Sequence, residues 1–373
     1  MAHTNPTLRF LQMLGQHPIT APLPQDVEGC VSAINWRDFL GVAAQHRIVP
    51  MVTHRLHQHD LHTKVPRYIY KAMADLTNTC HFKAEQIQQE VRRIALALQQ
   101  ANLPHAFVKG VVLDQLVYAG HGLKSVNDID VLCLPDHQDH MLEVLGQLGY
   151  TPGIYQRKTR SITMPDRRTQ LLYRLNPDHL PKLIRLVDHP IVERFVVDVS
   201  LSATWHSSDQ QVPLADLLAT ARGLPAGELA RVAVLSPEIH FVYLLLHFFR
   251  EAWLENNLKN DDKSLNFIKC YDITHLWMKH TTPEWNRAVS SLLGQYSLEA
   301  CAAWVTGNLD EVFGLNLTQQ LELTPWATPL WLRSTSGTAQ TGQVFAAPFT
   351  HRLLHPGEIL LEPSTGSPVT GGR

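Results

Sequence analysis

The chain has 373 residues, 45% of them hydrophobic and 18% charged, with a formal net charge of −2. That composition supports buried cores of ordinary domain size and excludes a wholly disordered chain. The near-neutral balance excludes a molecule-wide field that gathers nucleic acid or anionic membrane, so any polyanion site has to be local.

From about Ile34 to Leu98 the pattern is helical, clearest where Ile87, Val91, Ile94 and Leu98 recur at three- and four-residue spacing and form one apolar stripe. Asn102-Leu103-Pro104 ends this region, because proline disfavours helix in the residue before it. His105 to Val108 then reads as a short buried strand, and Leu113 to Tyr118 as helix. After a polar turn with Gly120 and Gly122 comes a second strand, Asp128 to Leu134, and a helix from about Gln138 to Leu148. Phe195 to Ser202 alternates cleanly, Phe195, Val197, Val199 and Leu201 facing one way and Val196, Asp198, Ser200 and Ser202 the other.

Beyond about Val212 the helical period returns. Ser236-Pro237-Glu238 supplies a cap, a proline suited to the first helical position and a dipole-compatible acid, for a helix to about Trp253. Phe267, Tyr271, Thr274 and Met278 continue at helical spacing, and a last helix ends near Gly314. The tail from Ser334 is rich in Ser, Thr, Gly and Pro, and is expected to be partly disordered or laid on the surface. The expected divisions are a helical region over 1–101, a core over 102–210, a second helical region over 211–320 and a tail over 321–373.

Five widely separated cysteines form neither a C-x-x-C pair nor a zinc spacing, which fits a reducing cytoplasm. The N-terminus lacks the layout of a signal peptide, and the longest apolar stretch, Phe241 to Phe249, is too short to span a bilayer, so no membrane partner is expected.

Asp128 and Asp130, separated by one apolar residue on a strand, face the same side with Cα atoms roughly 6.5 Å apart. That spacing suits two carboxylates sharing divalent ions, since magnesium takes oxygen ligands and sits between one or two carboxylates and substrate phosphates. Lys109-Gly110 follows a strand and precedes a helix, where main-chain N–H groups can meet phosphate. Asp198, on the polar side of its strand, is a third carboxylate that completes the metal site or accepts a proton from the attacking hydroxyl. Asp188 competes for that role, but its His-Pro neighbours indicate a turn.

The run Phe107 to Leu113, then Tyr118, Lys124, Asp128-Ile-Asp130-Val-Leu and Leu148-Gly-Tyr150, resembles the uncharacterised nucleotidyltransferase family within the DNA polymerase beta superfamily. Trp36 to Leu56 is similar to its helical lead-in, and the helices around His247 and around Asp272 to Trp277 to its C-terminal part. The resemblance implies an α+β fold, a small mixed β-sheet nucleotidyltransferase core with N-terminal and C-terminal helical regions. It also implies a two-metal site in which Gly110 begins the phosphate loop, Asp128 and Asp130 bind metal and Asp198 supports them. Lys109 stands where the superfamily commonly has a small residue, seventeen residues separate Gly110 from Asp128, and Lys124 lies where relatives often place arginine.

The expected activity is Mg²⁺-dependent (alternatively Mn²⁺-dependent) transfer of a nucleotidyl group, AMP from ATP by default, to a small-molecule or peptide acceptor with pyrophosphate release. Catalytic and metal roles fall to Asp128, Asp130 and Asp198, and nucleotide contacts to Lys109, Gly110, Lys124, Arg167 and Arg168. Arg167 and Arg168 belong to a basic segment, with Arg157, Lys158, Arg160 and Arg174, that holds phosphate or is a solvated hairpin. Competing readings are a toxin-like transferase acting on tRNA or protein, a metal-dependent glycosyltransferase, and a nucleotide-binding module without turnover. Nucleic acid is a possible partner but not the favoured one. His54, His57, His59 and His62 do not share one helix face and are expected to be solvated, Trp205-His206 to be core, and Lys269 and Asp272 to be structural.

Overall fold

The computed structural model describes residues 5–168, 171, 178–205, 208–224, 229–254, 265–355 and 358–364. It is an α+β structure with a mixed sheet and helical N- and C-terminal regions. The chain divides into two compact units, one of Met1–Ala74 with Phe241–Arg373 and one of Asp75–His240.

The first unit opens with helices α1 (Pro6–Gln16), α2 (Val27–Ala33), α3 (Trp36–Gln45) and α4 (Val49–Gln58). Asn5 caps α1 by accepting the Thr7 N–H, and Phe10, Trp36 and Phe39 meet through tilted and edge contacts in an apolar core.

Helix α5 (Arg67–Gln100) runs across the division into the second unit. Its stripe of Ile87, Val91, Ile94 and Leu98 is buried against the sheet core of Phe107, Val131 and Val197. The helix stops where Asn102 takes a left-handed backbone, which a short polar side chain tolerates, and Pro104 forbids continuation. Strand β1 (His105–Val108) leads through Lys109 into α6 (Gly110–Leu116), then come β2 (Ile129–Cys133) and α7 (Gln138–Gln147). After β3 (Thr151–Pro152), the ribbon of β4 (Ile154–Gln156) and β5 (Ser161–Thr163) precedes β6 (Leu183–Leu186) and β7 (Arg194–Ser200). Helix α8 (Leu214–Ala219), β8 (Arg222–Gly223) and β9 (Ala233–Val234) complete this part of the chain.

The seven-stranded sheet has the order β3-β6-β7-β2-β1-β9-β8. Pairs β2·β7 and β1·β9 are parallel and the others antiparallel. The all-buried β1 and β2 lie centrally, as their uninterrupted apolar character requires. The sheet continues to Val234, within a stretch expected to be helical; two-residue strands are too short to show a period.

Helix α9 (Pro237–Trp253) begins where Ser236, Pro237 and Glu238 predict and ends at Trp253. Helices α10 (Phe267–His280), α11 (Pro283–Gln295) and α12 (Glu299–Phe313) belong to the first unit. Residues 267–277 of α10 are nearly all buried, so this helix is central to its unit rather than amphipathic. Gly314, left-handed at φ 61°, ends α12. Gly15 lets α1 close on α12, since a Cβ there would lie 2.3 Å from the Phe313 ring. In the tail, β10 (Gln343–Phe345) pairs with β11 (Leu361–Pro363), and Val344, Phe345, Phe349 and Leu353 are buried. Among the described residues no helix is long and apolar enough to cross a membrane.

Candidate functional site

Strand register creates the site. Val108 pairs with Asp130 across β1·β2, and Asp130 pairs with Asp198 across the parallel β2·β7. Neighbouring strands lie about 4.8 Å apart, so the two carboxylates stand side by side. Asp128 sits in a bend just before β2, one residue short of the expected strand start. The cluster is graded in exposure, the Asp130 side chain being 8% exposed, Asp198 19% and Asp128 38%. Asp188 lies on the turn beyond the Leu186↔Arg194 pair, at the opposite end of β7 from Asp198.

Two lysines offset much of the cluster's charge. Lys109 Nζ lies 2.8 Å from Asp130 Oδ1, with only 13% of its side chain exposed. Lys182 Nζ lies 3.6 Å from Asp128 Oδ2 and 4.0 Å from Asp198 Oδ2. His179 Nδ1 stands 3.2 Å from Asp198 Oδ1 and 3.1 Å from Ser200 Oγ. Burial pushes the Asp130 carboxyl up to about 6 against the pull of Lys109, and the negative charges of Asp128 and Asp198 push the same way. Asp198 moves the other way, because His179, Lys109 and Lys182 together outweigh its burial and hold it ionised.

Lys109 has an unusual backbone, φ 56° and ψ −127°, a region that side-chain-bearing residues rarely adopt. Its N–H donates to Nε2 of His240 at 3.2 Å. His240 is fully buried, and burial followed by the charge of Lys124 pushes its imidazole down to about 3, so it is neutral and able to accept. Gly110 follows within tight quarters, since a Cβ there would meet Val126 Cγ1 at 3.2 Å.

The long connection from α6 to β2 is packed down. Asp114 is buried beneath it, bonded to the Gly122 main chain and to Gln88 Nε2. Gly122, φ 61°, sits where a Cβ would lie 2.9 Å from the His81 Cα of α5. Lys124 is half-buried here, close enough for its charge to act on Asp114 and His240.

Among the described residues no three His, Cys, Asp or Glu side chains already converge as a metal cage. The donor set nevertheless fits a hard divalent cation. It is made of carboxylate oxygens whose mutual repulsion calls for positive charge, and two ammonium groups now stand in for that charge. His54, His57, His59 and His62 form no such group; the His57 and His62 rings lie 5.4 Å apart, tilted by 45°, and His59 Nε2 accepts the Leu23 N–H.

The sequence model of an uncharacterised nucleotidyltransferase family matches residues 32–314, more than half of the chain. The chain belongs to that family. It is accordingly a nucleotidyltransferase, an enzyme of the transferase class. No curated protein matches the chain.

Leu148-Gly-Tyr150 of this nucleotidyltransferase has a structural use. Arg93 Nη2 donates to Leu148 O at 3.0 Å, and Tyr150 Oη donates to the buried Glu90 at 2.7 Å. Arg185 Nη2 reaches the same Glu90 at 2.5 Å, and its guanidinium lies 5.1 Å over the Phe195 ring. These bonds knot α5, the end of α7 and β6 behind the carboxylate strands.

The basic segment is split by the β4·β5 ribbon. Arg157, Lys158 and Arg160 are exposed at its tip, where Arg160 lies 3.3 Å from Glu193 and Arg194 stacks 4.0 Å from the Tyr155 ring. The ribbon base lies at the other end, where the Gly153 N–H donates to the carbonyl of Lys182 and the chain leaves β5 toward the exposed Arg167 and Arg168. Neither arginine contacts the three carboxylates, and Arg174 lies outside the described residues. Trp205 is buried; His206 lies outside the described residues. Lys269 Nζ is bound to Glu251 at 2.5 Å, and Asp272 is buried within α10.

Lys182, His179 and His240 are the members that sequence patterns miss. Lys182 and His179 lie in an irregular approach to the four-residue β6. His240 is hidden as one more residue of an apolar helix start, and its only sequence signal is a histidine in that run.

Proposed function

We propose that Asp128, Asp130 and Asp198 form the catalytic centre of an Mg²⁺-dependent transfer of AMP from ATP to a small-molecule or peptide acceptor. The carrying observation is the Asp130↔Asp198 register, with Asp128 adjacent and Lys109 2.8 Å from Asp130. A divalent ion bound there supplies Lewis-acid stabilisation of the attacking and leaving oxygens. Asp130 on β2 and Asp128 in the bend before it would hold that ion, and Asp198, held ionised by its neighbours, suits a ligand role better than that of a base. Lys109 and Lys124 neutralise phosphate, and Arg167 and Arg168, leaving the ribbon near Lys182, extend that positive surface.

In the reaction the acceptor hydroxyl gives up its proton to solvent as its oxygen forms a bond to the α-phosphorus, the bond from that phosphorus to the α–β bridging oxygen breaks, and pyrophosphate leaves in line with the attack. Nothing in the chain selects a base, and ATP is the default donor. The five cysteines are free, in keeping with a reducing cytoplasm. A second reading, a nucleotide-binding module without turnover, draws on the Lys109 ammonium lying against Asp130.

Pyrophosphate release from each NTP, with Mg²⁺ and a cell extract as acceptor source, separates the two. Asp130→Asn is expected to abolish Mg²⁺-dependent release and the nucleotidylated products found by mass. Equal turnover by the variant and the parent would overturn the assignment.

A further inference from the structure

We propose that Lys109 and Lys182 are resident countercharges of the carboxylate cluster that exclude the divalent cation until a nucleotide triphosphate draws them away. The inference rests on the nucleotidyl-transfer reading of the same cluster and concerns how that site is loaded.

Charge and geometry carry it. The cluster holds three carboxylates, and the two ammonium groups bring the same positive charge as one divalent ion. They also engage carboxylate oxygens that such an ion would take as ligands. Lys109 takes one oxygen of the most buried carboxylate, while Lys182 spans the oxygens of the other two. A cation arriving with both lysines in place meets carboxylates whose charge is already largely offset, and two ammonium groups that repel it.

Both residues are built to hand over. The Lys109 backbone is pinned by His240 and by its own unusual conformation, so only its four-carbon stem moves. Lys182 is anchored through its carbonyl to the Gly153 N–H, while half of its side chain is exposed. Lysine is a compact point charge on a flexible stem, suited to exchanging one oxygen partner for another; a planar arginine fork is not. A triphosphate offers many anionic oxygens at once and supplies the new partner. Lys182 thereby becomes a nucleotide-binding residue alongside Lys109.

The test measures Mn²⁺ binding to nucleotide-free full-length protein, from the loss of the free-ion spin resonance signal. Lys109→Met and Lys182→Met are each expected to bind Mn²⁺ about tenfold more tightly than the parent, within the range usual for coupled sites. Both should bind ATP more weakly. Adding Asp130→Asn to either should remove the gain. Because Lys109→Met alters a buried pair and its fold must be verified by melting, the half-exposed Lys182→Met decides the matter alone. Unchanged or weaker Mn²⁺ binding by folded Lys182→Met overturns the inference, and Asp130-dependent Mn²⁺ uptake with ATP in the parent would then leave the nucleotidyl-transfer reading standing. Mn²⁺ binding that is independent of Asp130 in every protein, with and without ATP, overturns both.

Discussion

Lys109 is asked to do two things that conflict. Its ammonium partners Asp130, yet its backbone sits at φ 56°, where glycine is the easy choice. The lysine is retained at a conformational cost on the order of 1–3 kcal/mol. Two variants that both delete the ammonium separate these contributions. Lys109→Gly is expected to be more stable than Lys109→Met by about 1 kcal/mol, read as a higher melting temperature, because only glycine relieves the backbone. Equal melting temperatures would show that the turn is not strained. At this scale the carboxylates were legible in the sequence because alternation along a strand assigns faces: Asp130 and Asp198 could be placed before any geometry. Their partners were not, because His179 and Lys182 lie in an irregular segment and His240 is one more residue of an apolar helix start, all three being brought in by tertiary approach.

The elements behind the site are tied by one buried carboxylate. Glu90 of α5 accepts from Arg93, Tyr150 and Arg185, joining helix to sheet. Burial works against its charge, but those three donors outweigh it and lower its pKa. Glu90→Gln leaves the half-buried Arg185 without its countercharge and should cost about 3 kcal/mol at pH 7, measured by urea unfolding. A group whose folded pKa is lowered stabilises the fold above its unfolded pKa and loses that contribution as pH falls through the folded value. The gap between parent and variant should therefore be full at pH 6 and narrow progressively as pH falls below the unfolded glutamate value of about 4.3. A gap that persisted undiminished at pH 3 would mean that the carboxylate charge is not what the knot uses. The sequence exposes α5 by its stripe, β1 and β2 by their apolar runs and β7 by its alternation, whereas β6, β8 and β9 are too short to declare themselves.

Across the whole molecule, both units carry histidines sealed from water. His46 and His275 in one unit and His240 in the other are pushed down by burial to about 4, 4 and 3. They stay neutral in the folded chain and take up protons in the unfolded chain once pH drops below about 6.5. The unfolded state then binds more protons, so stability falls with pH, by about 2 kcal/mol for each histidine at pH 5. Denaturant midpoints should drop clearly between pH 7 and pH 5, before most carboxylates titrate. A flat profile over that interval would show these rings protonating in place. Neither the burial of these rings nor the pairing of residues 1–74 with 241–373 in one unit is written locally, since both depend on contacts between helices far apart in the chain.

The β4·β5 ribbon bonds to itself and forms no ladder with the seven-stranded sheet. Its length and tip can drift between descendants of this chain without shifting the register that sets Asp130 beside Asp198. The molecule thus has a surface on which variation is cheap, next to one where a single-residue slip would turn every carboxylate to the wrong face.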